Sequence, residues 1–372
     1  MNPKILIFID WFTPGFKAGG PIKSITNIIN SLSDNFDFYI ITSDRDINEE
    51  SSYKNLKLNS WISKEKYSII YLTPDTCNKW ISDHINNTDY DKYYFNSLFS
   101  KNFTIKPLLT LNKLSKQNII IAPRGMLGKG ALSIKPFKKK IFLTISKILS
   151  YYKNVTWHAT NEGEKNDIIA VFGYKSKIKT ASNISICVID EKRISKVKEE
   201  LNLVFFSRIS PKKNLIYVLN LLKEFNHISL DIYGSIEDKN YWKKCLKIID
   251  SNKINAQYKG EINPIDVTTT LANYHFFILP TLHENYGHVI IEALTAGCGL
   301  IISNNTPWEN LSEKHIGWEI NLNDNAKFIN TLRHCLSLEE NEYDTIRNNC
   351  YKFVSEEINS ITEIEDTKKL FT

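Results

Sequence analysis

The chain has 372 residues, a formal net charge of +6, 42% hydrophobic residues and 24% charged ones. This balance excludes a disordered or fibrous chain, and the length accommodates two domains, each with its own core. The mild positive excess suits an anionic substrate or an anionic membrane surface. It is too weak a signal to argue for nucleic acid as a partner.

Six cysteines, at 77, 187, 245, 298, 335 and 350, form no Cys-x-x-Cys or Cys/His cluster. No zinc site is therefore expected, and the wide scatter points to reduced thiols in a cytosolic setting. The N-terminal stretch MNPKILIFIDWF lacks the apolar core and small-residue cleavage site of a secretory signal and reads as a first strand. No stretch reaches the roughly 18 apolar residues that span a bilayer. The expected location is the cytoplasm, with attachment to the inner face of the membrane as its variant.

In chain order, Lys4 to Ile9 is a buried strand, followed by the Gly- and Pro-rich loop DWFTPGFKAGGPIKS. A helix over 22–33 follows, with Ile22, Ile25, Ile28 and Ile29 at helical spacing and Pro21 suited to its first turn. Gly19 and Gly20 open onto that helix N-terminus, which is either a plain turn or a contact for a phosphate or acceptor. The spacing is not that of the dinucleotide-binding Gly-x-Gly-x-x-Gly. Strands follow at 38–42 and 69–72, around a polar segment, 44–67, that reads as a long surface excursion. Next come a strand at 93–96, a helix over 101–115 and a strand at 119–122. The loop PRGMLGKGALS then sets Arg124 at a strand end, where it either meets a ligand or is merely solvated.

Residues 137–150 form a basic amphipathic helix. Phe137, Ile141, Ile145, Ile148 and Leu149 share one face, with Lys139, Lys140 and Lys147 largely outside it. That face packs on the sheet, lies on a membrane, or does both. A strand at 155–159, a helix over 161–171 and a strand at 177–181 complete a doubly wound first domain, 1–190. The polar segment IDEKRISKVKEE places a hinge near 189–200.

The second domain, 191–372, opens with a strand at 203–206 and the loop SRISPKKNL. Leu230 to Tyr233 ends in Gly234, a strand at 257–260 precedes a helix over 264–272, and helices run from 324 onward. The terminal helices are free to pack back on the first domain. Between them lies HFFILPTLHENYGHVIIEALTAGCGLIIS, residues 275–303, a strand–loop–helix–strand unit of a parallel sheet. Glu284 stands at its strand end and Glu292 on its helix. Ligands of such sheets bind beyond the carboxyl ends of the strands. Gly287 allows close approach at the helix start, where free backbone N–H groups suit a diphosphate. Arg208 and Lys213 follow a strand end and supply fixed positive charge.

Glu284, Asn285, Tyr286, Gly287, Glu292, Ala293 and Gly297 form a Glu-x7-Glu unit. Together with SRISPKKN, Gly234, TPW and the following GW, they make the chain resemble the retaining glycosyltransferases of family 4, the group 1 glycosyltransferases. PGFKAGGP is similar to that family's first glycine-rich loop. The resemblance implies an α/β fold of the GT-B type, two Rossmann-like doubly wound domains facing across a cleft. It implies a UDP- or GDP-sugar donor held mainly by the second domain. The acceptor, a glycan or a polyprenyl-linked chain, is held mainly by the first, and the role is in bacterial O-antigen, capsule or exopolysaccharide synthesis. Arg208, Lys213 and Glu284 take the catalytic roles, with Glu284 facing the donor sugar. Gly19, Gly20, Arg124, Asn285, Tyr286, Gly287, His288, Val289 and Glu292 contact substrate, Glu292 on the ribose. No metal or other cofactor is implied, and no Asp-x-Asp motif argues otherwise.

Two departures stand out. Asn214 replaces the family's glycine after Lys213, though asparagine tolerates left-handed backbone. Arg124 stands where many members carry a catalytic histidine, and His158 lies one strand further on, so the catalytic group of the first domain is left open. The rival readings are a GT-B nucleotide-sugar epimerase, which hydrolysis without an acceptor would favour, and a non-catalytic nucleotide-sugar-binding protein. A nicotinamide oxidoreductase is disfavoured by the missing glycine motif.

Overall fold

The structure, a computed structural model, describes residues 2–133, 136–185, 194–358 and 360–372. The chain forms two compact units, Met1–Ile184 with Ser360–Thr372, and Ser185–Asn359. Of the segment expected to hold the hinge, residues 189–193 lie outside the described residues, as do the expected boundary and Cys187. The remaining five cysteines are buried free thiols.

The first unit runs β1 (Lys4–Phe8), α1 (Gly20–Leu32), β2 (Asp37–Ser43), β3 (Ile62–Ser63), β4 (Tyr67–Leu72), α2 (Pro74–Asn87), β5 (Lys92–Phe95) and α3 (Lys106–Lys113). It continues with β6 (Ile119–Ile121), α4 (Lys129–Leu132), α5 (Pro136–Ile148), β7 (Val155–Ala159), α6 (Glu162–Phe172) and β8 (Lys177–Thr180). The sheet order is β3-β4-β2-β1-β5-β6-β7-β8, parallel except for the short β3. β1 shows why this sheet is covered on both faces. Ile5 and Ile7 enter one core with Ile25 and Ile28 of α1, while Leu6 and Phe8 enter the other with Ile81 of α2. A strand buried on both faces reads as an unbroken apolar run, as KILIF does.

The second unit runs β9 (Leu201–Phe206), α7 (Leu215–Leu222), β10 (Ile228–Tyr233), α8 (Lys239–Asn252), β11 (Ala256–Gly260) and α9 (Val267–Leu271). β12 (Phe276–Leu279), α10 (His288–Thr295), β13 (Gly299–Ser303), β14 (Gly317–Ile320), α11 (Asn325–Ser337) and α12 (Glu340–Glu357) complete it. Its all-parallel order, β11-β10-β9-β12-β13-β14, is the dinucleotide-fold order 3-2-1-4-5-6. The strand order reverses between β9 and β12, so the crevice for a ligand opens beyond the carboxyl ends of those two strands.

The last helix, α13 (Ser360–Phe371), belongs to the first unit. Phe371 packs edge-on against Phe36, Phe38 and Tyr94, with ring centroids 5.5, 6.1 and 5.6 Å apart. Lys92 Nζ donates to the carbonyl of Thr372 at 3.0 Å.

Two local readings of the sequence are corrected. The helix expected over 101–115 is a π-type turn, Lys101–Ile105, leading into α3. The segment 44–67 does run mostly at the surface, but it is tied down by acids that turn inward. Asp44 and Asp46 are buried within it, and Asp46 Oδ2 accepts the Phe16 and Lys17 amides at 2.8 and 3.1 Å. Acidic residues there pin the Gly- and Pro-rich loop, a pairing that no local pattern in the sequence reveals.

Gly234 ends β10 with φ +127°, and a Cβ there would lie 2.1 Å from the Ser207 carbonyl oxygen. The strained backbone and the clash act together. Gly234→Ala should destabilise the second unit by about 2–3 kcal/mol, read as a lower urea midpoint in equilibrium unfolding. A midpoint within error of wild type would show that the β9 and β10 loops have room to separate.

Candidate active site

β9 and β12 are neighbours because Phe276 pairs with Leu203 and Phe277 with Val204. The loops that leave their carboxyl ends therefore meet. After β9, Arg208 forms an ion pair with Glu237 at 3.0 Å. Pro211–Lys213 then makes one 3-10 turn, closed by Asn214 in left-handed conformation at φ 58° and ψ 37°. The asparagine thus serves the turn in which the family uses glycine. The turn is stitched to the loop after β12, where the Lys212 carbonyl accepts the Leu282 amide at 2.8 Å and the Thr281 hydroxyl at 3.2 Å.

Lys213 Nζ pairs directly with Glu284 Oε2, the two side chains being only 10% and 15% exposed. Glu284 is fixed from its backbone as well, its amide donating to the Asn305 carbonyl at 2.9 Å. Burial alone would push the Glu284 carboxyl upward. The charge and hydrogen bond of Lys213, the field of Lys212 and the Asn285 amide outweigh it and hold the group at about 2. Glu284 is therefore a carboxylate throughout the neutral range and cannot donate a proton there. An arrangement of this kind accepts hydrogen bonds and stabilises positive charge.

α10 begins directly after this loop. Gly287 caps it at φ 82° and ψ 60°, and a Cβ there would sit 2.7 Å from Ile290 Cδ1 and 3.2 Å from Glu284 Cγ. Glycine is what lets the loop turn into the helix this close to the carboxylate. No acidic residue occupies the first turn of the helix itself. His288 is buried, and Val289 and Glu292 are half-buried on the same helix. The Trp308 indole N–H donates to the Tyr286 carbonyl at 2.6 Å, and the Tyr286 hydroxyl meets Ser185 Oγ at 2.6 Å. Asn285, Tyr286 and Gly287 thus belong to a loop held at both ends. Arg208, Lys213, Glu284, Asn285, Tyr286, Gly287, His288, Val289 and Glu292 all lie on the β9 and β12 loops and the helix between β12 and β13.

The first unit places its own candidates separately. Gly19 caps α1 at φ 65° and Gly20 is that helix's first residue. Arg124 follows β6 in left-handed conformation at φ 54°. Its Nε, Nη1 and Nη2 donate to Asn96, Asn183 and the Tyr94 hydroxyl at 2.7, 2.5 and 2.9 Å. The guanidinium is built into the protein rather than merely solvated, with two of its five N–H groups left over. The Tyr94 hydroxyl donates a hydrogen bond to His158 Nδ1 at 2.8 Å, and His158 Nε2–H donates to the Ala181 carbonyl at 2.8 Å. Burial, with the Arg124 charge behind it, holds His158 down to about 3, so the ring is neutral and fully committed.

Three residues escaped the sequence reading. Lys212 lies beside Lys213 in the same turn. Trp308 lies in the quoted TPW phrase without a role. Asp10, the first polar residue after β1, accepts Ser97 and Ser100 hydroxyls at 3.3 and 2.6 Å, and burial raises its pKa. Only Asp10 carried a usable signal, a carboxylate at the end of a buried strand. Among the described residues, no group of three or more His, Cys, Asp or Glu is arranged to hold a metal ion, and no helix is long and apolar enough to cross a membrane.

Residues 189–353 match the family model of the glycosyl transferases group 1. This chain carries a group 1 glycosyltransferase domain. The fold agrees along the whole length of solved glycosyltransferase structures. Anabaena HepE, crystallised with UDP and glucose, superposes with a TM-score of 0.74 at 14% identity, covering 99% of each chain. WaaG, a glycosyltransferase involved in lipopolysaccharide biosynthesis, gives 0.69 at 11% identity and 99% of each chain. A Klebsiella pneumoniae relative, an uncharacterized 41.2 kDa protein in the cps region, is 22% identical over 254 residues, 64% of this chain and 68% of its own length. At these identities the solved structures establish the GT-B fold class.

The Lys213–Glu284 pair has a pH signature. Because the Glu284 pKa is depressed, its contribution to stability is complete above the ordinary carboxylate value of 4.5 and fades as pH falls toward about 2. Lys213→Met should cost about 3 kcal/mol at pH 7, since it strands a buried charge. It should also flatten the acid limb relative to wild type when urea unfolding is followed from pH 7 to pH 3. Parallel limbs for the two proteins would refute the pairing.

Proposed function

We propose that this glycosyltransferase binds the diphosphate of a UDP- or GDP-sugar at the switch point of its second unit and transfers the sugar with retention of configuration. The observation that carries this reading is the Lys213–Glu284 pair beside the Gly287-capped start of α10, with Arg208 on the same β9 loop as Lys213. Arg208, Lys213 and the positive N-terminal end of the helix dipole stabilise the charge that develops on the departing diphosphate. Glu284, always ionised, accepts a sugar hydroxyl and stabilises positive charge at the sugar ring. The leaving phosphate oxygen takes the acceptor proton, so no protein acid is needed. Glu292 is assigned to the ribose, and the loop at Gly19 and Gly20 to the acceptor. The family match and the cps-region relative favour a glycan or lipid-linked acceptor in bacterial surface polysaccharide synthesis.

Thermal shift with a panel of UDP-, GDP- and ADP-sugars identifies the donor, since a ligand at about 100 times its Kd adds about 2.7 kcal/mol. With that donor, Glu284→Gln should lower kcat about 100- to 1000-fold in a protein that still folds, with a lower melting temperature because Lys213 loses its buried partner. A turnover close to wild type would remove Glu284 from the chemistry.

The location proposed for the enzyme is the inner face of a membrane. On α5, Phe137, Ile141, Ile145 and Ile148, with Leu149 just beyond, are 82, 59, 45, 75 and 57% exposed. The helix turns a different arc inward, with Leu143 and Ser146 buried and Phe142 packed on the core. Packing on the sheet therefore does not account for the apolar face. Lys138, Lys140 and Lys147 are exposed beside it. Such a helix lies in a bilayer interface with its apolar side down, and each lysine near an anionic leaflet adds about 1 kcal/mol. Lys139 is occupied otherwise, donating to the Ala131 carbonyl at 2.6 Å. Replacing Lys138, Lys140 and Lys147 by Glu should abolish flotation with anionic vesicles at low salt and leave activity on a short soluble acceptor intact. Undiminished flotation would end the membrane reading.

A further inference from the structure

Arg208, Lys212 and Lys213 occupy one loop and turn, and two of these cations are already matched, Arg208 by Glu237 and Lys213 by Glu284. Lys212 makes no ion pair among the described residues. Its backbone is nevertheless fixed, because its carbonyl holds both the Leu282 amide and the Thr281 hydroxyl of the β12 loop, so the side chain starts from a set point between the β9 and β12 loops. The family phrase assigns a role to the lysine before the left-handed residue, Lys213, and none to its neighbour. We propose that Lys212 is the cation that an incoming diphosphate engages without breaking an existing pair, and that the neutral fraction of its side-chain amine takes up a proton to become ammonium as the diphosphate binds. The proposal rests on the reading of this loop as a diphosphate site.

The charges around Lys212 explain the proton. Burial withdraws its ammonium from water, and Lys213 and Arg208 repel it, while Glu284 and Glu237 attract it from the β12 and β10 loops. The balance brings the group down to about 8. In the empty site a fraction of Lys212 is thus neutral at mildly alkaline pH. A diphosphate adds negative charge beside it and favours the ammonium again. One proton moves from buffer to Lys212 Nζ, no covalent bond changes, and the bound complex holds a full third cation.

The experiment is titration calorimetry of the full chain with UDP and GDP at pH 7.0 and pH 8.5, in buffers of different ionisation enthalpy. Wild type should take up a fraction of a proton per diphosphate at pH 8.5, less at pH 7.0, with affinity falling several-fold between them. Lys212→Met should lose about tenfold in diphosphate affinity at pH 7.0, keep its affinity for uridine or guanosine, and take up no proton at either pH. Lys212→Arg, permanently charged, should restore affinity and make it independent of pH over this range. Proton uptake that persists in Lys212→Met would overturn the assignment, as would equal losses for diphosphate and nucleoside. Wild type that binds neither diphosphate would instead overturn the site reading on which the proposal stands. Circular dichroism melts of both variants separate a loss of affinity from a loss of fold.

Discussion

The second unit is arranged around one buried ion pair. Lys213 and Glu284 are far apart in the chain and come together only because β9 and β12 are adjacent at the reversal of the sheet. Burying two charges is costly, and a hydrophobic pair in their place would stabilise the fold at least as well. What the pair supplies is a carboxylate that stays ionised although nearly enclosed. Everything near it serves to hold that geometry. Asn214 bends the chain after Lys213, the Asn305 carbonyl anchors Glu284, Trp308 braces Tyr286, and Gly287 turns the loop into α10 without touching the carboxylate. The crevice therefore contains fixed charge and a helix N-terminus before any ligand arrives, which is the condition under which electrostatic stabilisation of a transition state is effective.

The same strand arrangement has a different use in the first unit. Its reversal lies between β1 and β5, and the residues beyond those strand ends include Asp10, Asn96 and Ser97. Here the polar groups mostly satisfy one another. Arg124, Tyr94, His158 and the Ala181 carbonyl form a chain of donors and acceptors in which every proton has one consistent position. Such a network is rigid and poorly suited to proton transfer, because a neutral histidine with both nitrogens engaged has nothing to give. Its effect is to fix the strand ends and the backbone around them.

Much of this was legible in the sequence wherever the signal was local. The apolar runs gave nearly every strand, and the glycine or asparagine positions gave the turns. Glu284 and Glu292 stood out through their spacing, and Arg208 and Lys213 through theirs. What stayed hidden depends on distant partners. Nothing near Asp46 indicates that it grips the Phe16 and Lys17 amides, and nothing near Lys212 distinguishes it from the lysine beside it until the carboxylates are placed. The amphipathic pattern of 137–150 identified a helix and its stripe, but not which way the stripe faces. Periodicity locates an apolar face; only the surrounding fold decides whether protein covers it.

The terminal helix has a consequence for the order in which the protein is made. The first unit takes its final segment from Ser360–Thr372, so the second unit is an insertion within it. At ribosomal rates of about 5–20 residues per second, translating Ser185–Asn359 takes roughly 9 to 35 seconds. During that interval Phe36, Phe38 and Tyr94 wait without Phe371 against them. The second unit, continuous in the chain, is complete before the first. The domain that emerges first from the ribosome is thus the last to close, and its uncovered aromatic face is an aggregation hazard for as long as the last helix is missing.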